Sequence, residues 1–174
     1  LVAAGLRRLR AGQGSVGLQA LIAASRREAS RLSASDIGFA LGPRINAAGR
    51  LEDMALGIEL LLTDDPDQAA QIAQTLEEIN GERRAVQQQM TDEAEAAIAR
   101  VIAGTVQVPM AACFHDPDWH PGVVGLVASK MKDRLYRPVI AFAPSEPGSN
   151  TLRGSARSIP GFHIRDALAA VHAA

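Results

Sequence analysis

The stretch from Asp65 to Gly104 constrains this chain more than any other part of it. Asp65-Pro66 reads as a helix cap followed by proline at the first helical position. Ile72, Leu76, Ile79, Val86, Met90, Ala94, Ala97 and Val101 then fall mostly three or four residues apart, with polar and acidic residues on the other faces. Gly104 supplies a stop. The spacing predicts one helix over 66–103, about 57 Å long at the standard rise per residue. That is long for a helix inside a single domain and natural for a strut between two. Asn80-Gly81 is its weak point, because glycine in a helix interior costs about 1 kcal/mol against alanine. A bend or a helical hairpin at that point remains open.

The two sides of this element differ in pattern. Before it, Leu6 and Leu9, then Leu18, Leu21 and Ile22, suggest two short helices separated by Ala11-Gly12-Gln13-Gly14-Ser15. Ser35-Asp36 offers a cap for the next element. Gly42-Pro43-Arg44-Ile45-Asn46-Ala47-Ala48-Gly49-Arg50 is too punctuated by glycine and proline to be regular helix throughout. A helical period resumes at Met54, Ile58, Leu61 and Leu62. After residue 108 the pattern turns α/β. Strands are expected at Met110–His115, at Pro138–Ala143 and over Thr151–Ile159, with helices at Val123–Leu135 and Phe162–Val171. Three strands make a thin sheet, and further strands beyond residue 174 are expected to complete it.

A chain of 174 residues, 47% of them hydrophobic, suffices for one ordinary domain or two small ones. No apolar run reaches the roughly 20 residues that a membrane helix needs. The single cysteine, Cys113, excludes a disulfide framework and a multi-cysteine zinc site, and fits a cytoplasmic location. The start lacks an initiator Met and a long apolar segment, so the chain reads as a piece of something longer. The net charge of -1 hides an uneven distribution. Residues 1–62 carry eight Arg against five acids, residues 63–108 three Arg against nine acids, and residues 109–174 seven Lys and Arg against five acids. Two mildly basic ends thus flank an acidic middle. The ends suit a shared polyanion, although such balances are also ordinary for protein surfaces.

Three constellations carry chemistry. In Gly42–Arg50, small residues permit close backbone approach, while Arg44, Asn46 and Arg50 suit phosphate oxygens. A plain turn with two solvated arginines fits that composition equally well. In Arg153-Gly154-Ser155-Ala156-Arg157-Ser158, a period of two puts Arg153, Ser155 and Arg157 on one face of a strand. The hydroxyls and the backbone near Gly154 offer an anion nest at a strand end. In Trp119-His120-Pro121-Gly122-Val123-Val124-Gly125, His120 and Gly122 precede a helix whose first N–H groups can face an anion. Trp119 fits a packing role better. His115, Asp116, Asp118 and His120 lie close together, but Asp-Pro-Asp is an ordinary turn and no distant further ligand announces itself. His163 and His172 are isolated. No nucleophile–His arrangement, phosphate-binding P-loop or aromatic base-stacking platform is evident.

Gly42–Leu51 resembles a signature stretch of the RecJ family, single-strand-specific DNA exonucleases of the DHH phosphoesterase superfamily. Trp119–Gly125 followed by Arg137-Pro138-Val139-Ile140 is similar to the DHHA1-type domain of that family, and Gly154–Ile159 and Asp166-Ala167-Leu168 continue the match in order. The resemblance implies an α/β fold: residues 1–62 as the helical tail of a DHH catalytic domain, 63–108 as a long connecting helix, and 109–174 as an incomplete DHHA1 domain. It implies hydrolysis of single-stranded DNA from 5′ to 3′ in repair and recombination, with Mn²⁺ or Mg²⁺ in the complete enzyme. Single-strand-binding protein and a helicase are the implied protein partners; no membrane is implied.

The family's Asp-His-His triplet and its C-terminal Gly-Gly-His-Ala stretch do not occur here. This segment is therefore expected to be inactive alone, to bind no metal and to contribute no catalytic residue. It is expected to hold DNA or phosphate through Arg44, Asn46 and Arg50 and through Ser155, Arg157 and Ser158, with His120, Gly122 and His163 as lesser contributors. The alternatives are a DHH–DHHA1 phosphoesterase acting on short oligonucleotides or cyclic dinucleotides, and a non-catalytic nucleic-acid-binding module.

Overall fold

The computed structural model describes residues 1–103 and 109–172. The chain divides into two compact units, Leu1–Arg84 and Ala85–Ala174. The division falls inside the long helix, which runs unbroken from Pro66 to Ala103 as α6. The helix passes straight through Asn80-Gly81. A side chain at Gly81 would meet nothing within 4 Å, so the glycine sits on an open face and costs only its intrinsic propensity. The stop expected at Gly104 lies outside the described residues.

The first unit is helical. It comprises α1 (Val2–Arg10), α2 (Val16–Ala24), a 3₁₀ turn at Ala29–Arg31, the single turn α3 (Ala34–Asp36), a π turn at Ile37–Leu41, α4 (Gly42–Leu51), α5 (Ala55–Leu62) and the first part of α6. Leu21, Ile22, Leu32, Leu41, Ala48 and Leu60 form its core with Ala69, Ile72, Ala73 and Leu76 from α6. Those α6 positions lie on the face that the apolar period foretold. Gly17 lets α2 and α5 meet backbone to backbone: a Cβ there would lie 1.7 Å from the Leu60 carbonyl oxygen.

Two local expectations are corrected. The cap of α3 is Ser33, two residues before Ser35. Its hydroxyl accepts from the Asp36 N–H at 3.2 Å while Asp36 Oδ2 accepts from the Ser33 N–H at 2.9 Å. The Ser33 hydroxyl, then the Ser33 amide, hold the Asp36 carboxyl below the usual carboxylate range. The second correction is that Gly42–Leu51 is helical throughout. Pro43 sits in the first turn, where its missing N–H is not needed. Gly49 is kept for packing, since a Cβ there would come 2.5 Å from Met54 Cε.

The second unit is α/β. Strands β1 (Ala112–His115), β2 (Val139–Pro144) and β3 (Leu152–Arg157) lie in that order, β1 and β2 parallel, β2 and β3 antiparallel. Helix α7 (Val124–Leu135) connects β1 to β2 and packs on β2 and β3, and α8 (Ile164–His172) follows β3. Val123, Val127, Ala128 and Met131 are buried against Val139, Ala141 and Ala143. All three expected strands and both helices are present, with ends shifted by a residue or two.

Trp119 is buried at 5% exposure, tilted against Phe114, and its Nε1 donates to Glu93 Oε2 at 2.6 Å. It ties the turn after β1 to the α6 residues of this unit, the packing role its sequence context suggested. No helix among the described residues is long and apolar enough to cross a membrane.

Candidate nucleic-acid interface

The first unit presents its candidates on α4, where helical spacing separates them. Arg44 faces inward and is only 7% exposed. Its Nη1 donates to the Ala40 carbonyl at 2.6 Å, and its guanidinium forms an ion pair with Glu77 of α6. A buried guanidinium survives only when paired and hydrogen-bonded, and both conditions are met here. Asn46 and Arg50 are exposed on the same helix, Arg50 in its last turn. The motif thus contains one inward arginine that anchors α4 to α6 and two outward polar side chains.

The second unit brings Ser155 and Arg157 together. Both lie on β3, two residues apart and so on one face, opposite Ala141 and Val139 of β2. Those β2 residues are buried beneath α7, so Ser155 and Arg157 point to the α7 side. Arg157 Nη1 donates to Ser155 Oγ and to the Ala156 carbonyl, each at 2.9 Å. Gly125, in the first turn of α7, comes so close that a Cβ there would lie 3.0 Å from both Arg157 Nη2 and Ser155 Oγ. A guanidinium, a hydroxyl and the opening turn of a twelve-residue helix therefore share one small space. The helix end adds partial positive charge and N–H groups without intrahelical partners. No carboxylate is paired with Arg157 among the described residues, so its charge is held only by neutral acceptors.

The remaining candidates shape the surrounding loops. His120 Nδ1 accepts from the Gly122 N–H at 3.1 Å, and the His120 carbonyl accepts from the Val123 N–H at 3.0 Å, forming the turn that enters α7. The Ser158 hydroxyl is bonded to the Phe162 carbonyl. His163 precedes α8, where its Nδ1 lies 3.1 Å from Asp166 Oδ2. Gly154 is not at a strand end. It pairs with Phe142 in mid-strand, and a Cβ there would fall 2.5 Å from that ring. Its smallness serves the ring and not an anion.

Asp116 Oδ1 accepts from the Asp118 N–H at 2.9 Å, an ordinary turn. Among the described residues no three His, Cys, Asp or Glu side chains converge as a metal site would require. A cavity of about 700 Å³ runs along Glu93, Ala94 and Ala97 of α6 and Cys113–Asp116, with neither Ser155 nor Arg157 in its wall.

Two contributors were missed in the sequence. Gly125 was legible only as a small residue early in a helix. Glu77 carried no signal, being one acid among many on α6.

The segment that holds β1, α7, β2, β3 and α8 lies within residues 104–174, which match a family model. The family model is that of the DHHA1 domain. Upstream of the DHHA1 domain the likeness continues. The chain is 48% identical over 168 residues, 97% of its length, to the single-stranded-DNA-specific exonuclease RecJ of Dickeya dadantii, of which it covers 29%. Among solved structures it is similar to RecJ from Thermus thermophilus in complex with Mg²⁺, with a TM-score of 0.75 and 30% identity over 97% of this chain and 24% of that one. The Mn²⁺ complex of the same protein gives a TM-score of 0.74 at 30% identity, over 97% of this chain and 23% of that one. The chain thus spans less than a third of the length of the relatives it matches.

Proposed function

We propose that this chain is part of a RecJ-like exonuclease that degrades single-stranded DNA from 5′ to 3′ in repair and recombination. In this reading the DHHA1 domain grips a strand phosphate between Arg157, Ser155 and the first turn of α7. One observation carries the assignment: the Arg157 guanidinium is pre-positioned at 2.9 Å from Ser155 Oγ over Gly125, without a carboxylate to neutralise it. A phosphate oxygen supplies the missing counter-charge, accepts from the guanidinium and the serine hydroxyl, and meets the helix N-terminus end-on. Asn46 and Arg50 add strand contacts from α4, which Arg44 holds in place through Glu77. His120 and Gly122 set the turn at which α7 begins, and Ser158 and His163 set the loop into α8.

The relatives' structures hold Mg²⁺ or Mn²⁺. The described residues here do not fit such an ion, so bond cleavage is assigned to other parts of the enzyme and no step is derived through the metal.

The test is Arg157→Ala in the intact protein, with equilibrium binding of a single strand of roughly twelve nucleotides. Binding is expected to weaken about tenfold, as for loss of a charge-assisted hydrogen bond. The slope of log K against log salt should become shallower by about 0.7, one phosphate contact on a single strand. Unchanged affinity and slope would remove the DHHA1 grip from the account.

A further inference from the structure

Strands β1 and β2 run parallel with α7 as their crossover, and in such sheets ligands settle in the crevice beyond the carboxyl ends of the strands. The second unit has a crevice there. A cavity of about 440 Å³ lies between residues 117–121, which follow β1, and residues 144–148, which end β2 and turn toward β3. That volume falls in the range that takes a small organic group. Four prolines line it, and Trp119 forms a buried wall. Proline rings hold their own shape, so these walls exist before a ligand arrives and little ordering is lost on binding.

The polar groups of the crevice are few, and each has a definite character. His120 Nδ1 accepts from the Gly122 N–H at 3.1 Å, so the neutral ring carries its hydrogen on Nε2. Asp118 and Glu146 are exposed, and neither carboxylate is paired with a Lys or Arg among the described residues. Two uncompensated carboxylates repel a phosphate from the crevice and accept hydrogen bonds from an amine. The walls thus suit an uncharged, flat, amine-bearing group.

We propose that this crevice takes a nucleobase of the bound strand, one with an exocyclic amine (cytosine, adenine or guanine) that donates to Asp118 or Glu146. The inference rests on the nuclease reading and adds a base site to its phosphate grip. One short segment serves both: His120 lines the crevice, α7 begins at Val124, and Gly125 closes on Arg157. Stacking on the rigid walls tolerates any base, and the carboxylates add the preference for an amine.

The test compares strands of roughly twelve deoxycytidines and roughly twelve deoxyuridines on the intact protein. The two carry the same phosphates and present an amine or a carbonyl at the pyrimidine 4-position. The parent should bind the deoxycytidine strand about fivefold more tightly, as for one hydrogen bond to a charged group partly open to water. Asp118→Ala combined with Glu146→Ala should bring the two affinities together, with folding checked by circular dichroism. Arg157→Ala should weaken both strands alike and keep their ratio.

Equal binding of both strands by the parent would overturn the proposal. So would a double variant that tightens both strands equally and keeps the ratio, since that is relief of charge repulsion alone. If Arg157→Ala still weakened binding in either case, the base site would fall and the nuclease reading would stand. If the parent bound neither strand, both would fall.

Discussion

Arg44 on α4 and Arg157 on β3 each stand in a glycine-containing motif with a second polar residue two positions away, yet they reach opposite ends. Arg44 is buried against a carboxylate and spends its charge on joining two helices. Arg157 is half-buried against a hydroxyl and a carbonyl, and its charge is not cancelled by a carboxylate among the described residues. The difference is architectural. A helix packed on another helix turns part of every motif inward, so an arginine there needs an internal partner. A strand with a helix end above it leaves a polar gap at its edge, where the partner can be a ligand. An arginine in a phosphate-like motif is therefore informative only once its counter-charge is known.

The sharpest way to break the contrast is Glu77→Ala. It leaves the Arg44 guanidinium buried without its counter-charge and should cost about 3 kcal/mol, read as a lower urea midpoint. A loss below about 1 kcal/mol would mean that Arg44 relaxes to solvent and that the two arginines are alike.

Trp119→Phe probes the opposite side, because there the Glu93 carboxylate serves an indole. Losing the bond from Nε1 to Glu93 should cost about 1.5 kcal/mol, measured by denaturant unfolding, with Arg157-dependent DNA binding unchanged. A drop in that binding would show that the Trp119 turn helps to set the phosphate grip.

The smallest effect concerns the helix that both units share. Gly81→Ala should stabilise the protein by about 0.5–1 kcal/mol, since the added Cβ meets open space and the glycine loses its freedom in the unfolded chain. Destabilisation would mean that α6 is bent or split at that point.

Periodicity made α6 legible, because one amphipathic stripe over 38 residues has few alternative foldings. The same signal located β1–β3, α7 and α8, where short apolar runs alternate with turn residues. Gly42–Leu51 misled, since propensity counts its glycines and proline as breakers. In place, Pro43 occupies the tolerant first turn and Gly49 leaves room for Met54. Among the candidate residues, the pairing of Ser155 with Arg157 was readable from the two-residue period of a strand.

The sequence by itself determined the elements, the stripe on α6, the shared face of Ser155 and Arg157, and the motifs that later proved similar to RecJ. These depend on local spacing, which chain geometry converts directly into direction. Only the tertiary structure decided that Arg44 is neutralised by Glu77, 33 residues away, and that Gly125 closes on Arg157 from another element. Whether a charge is cancelled depends on which distant group packs against it, and local spacing does not encode that choice.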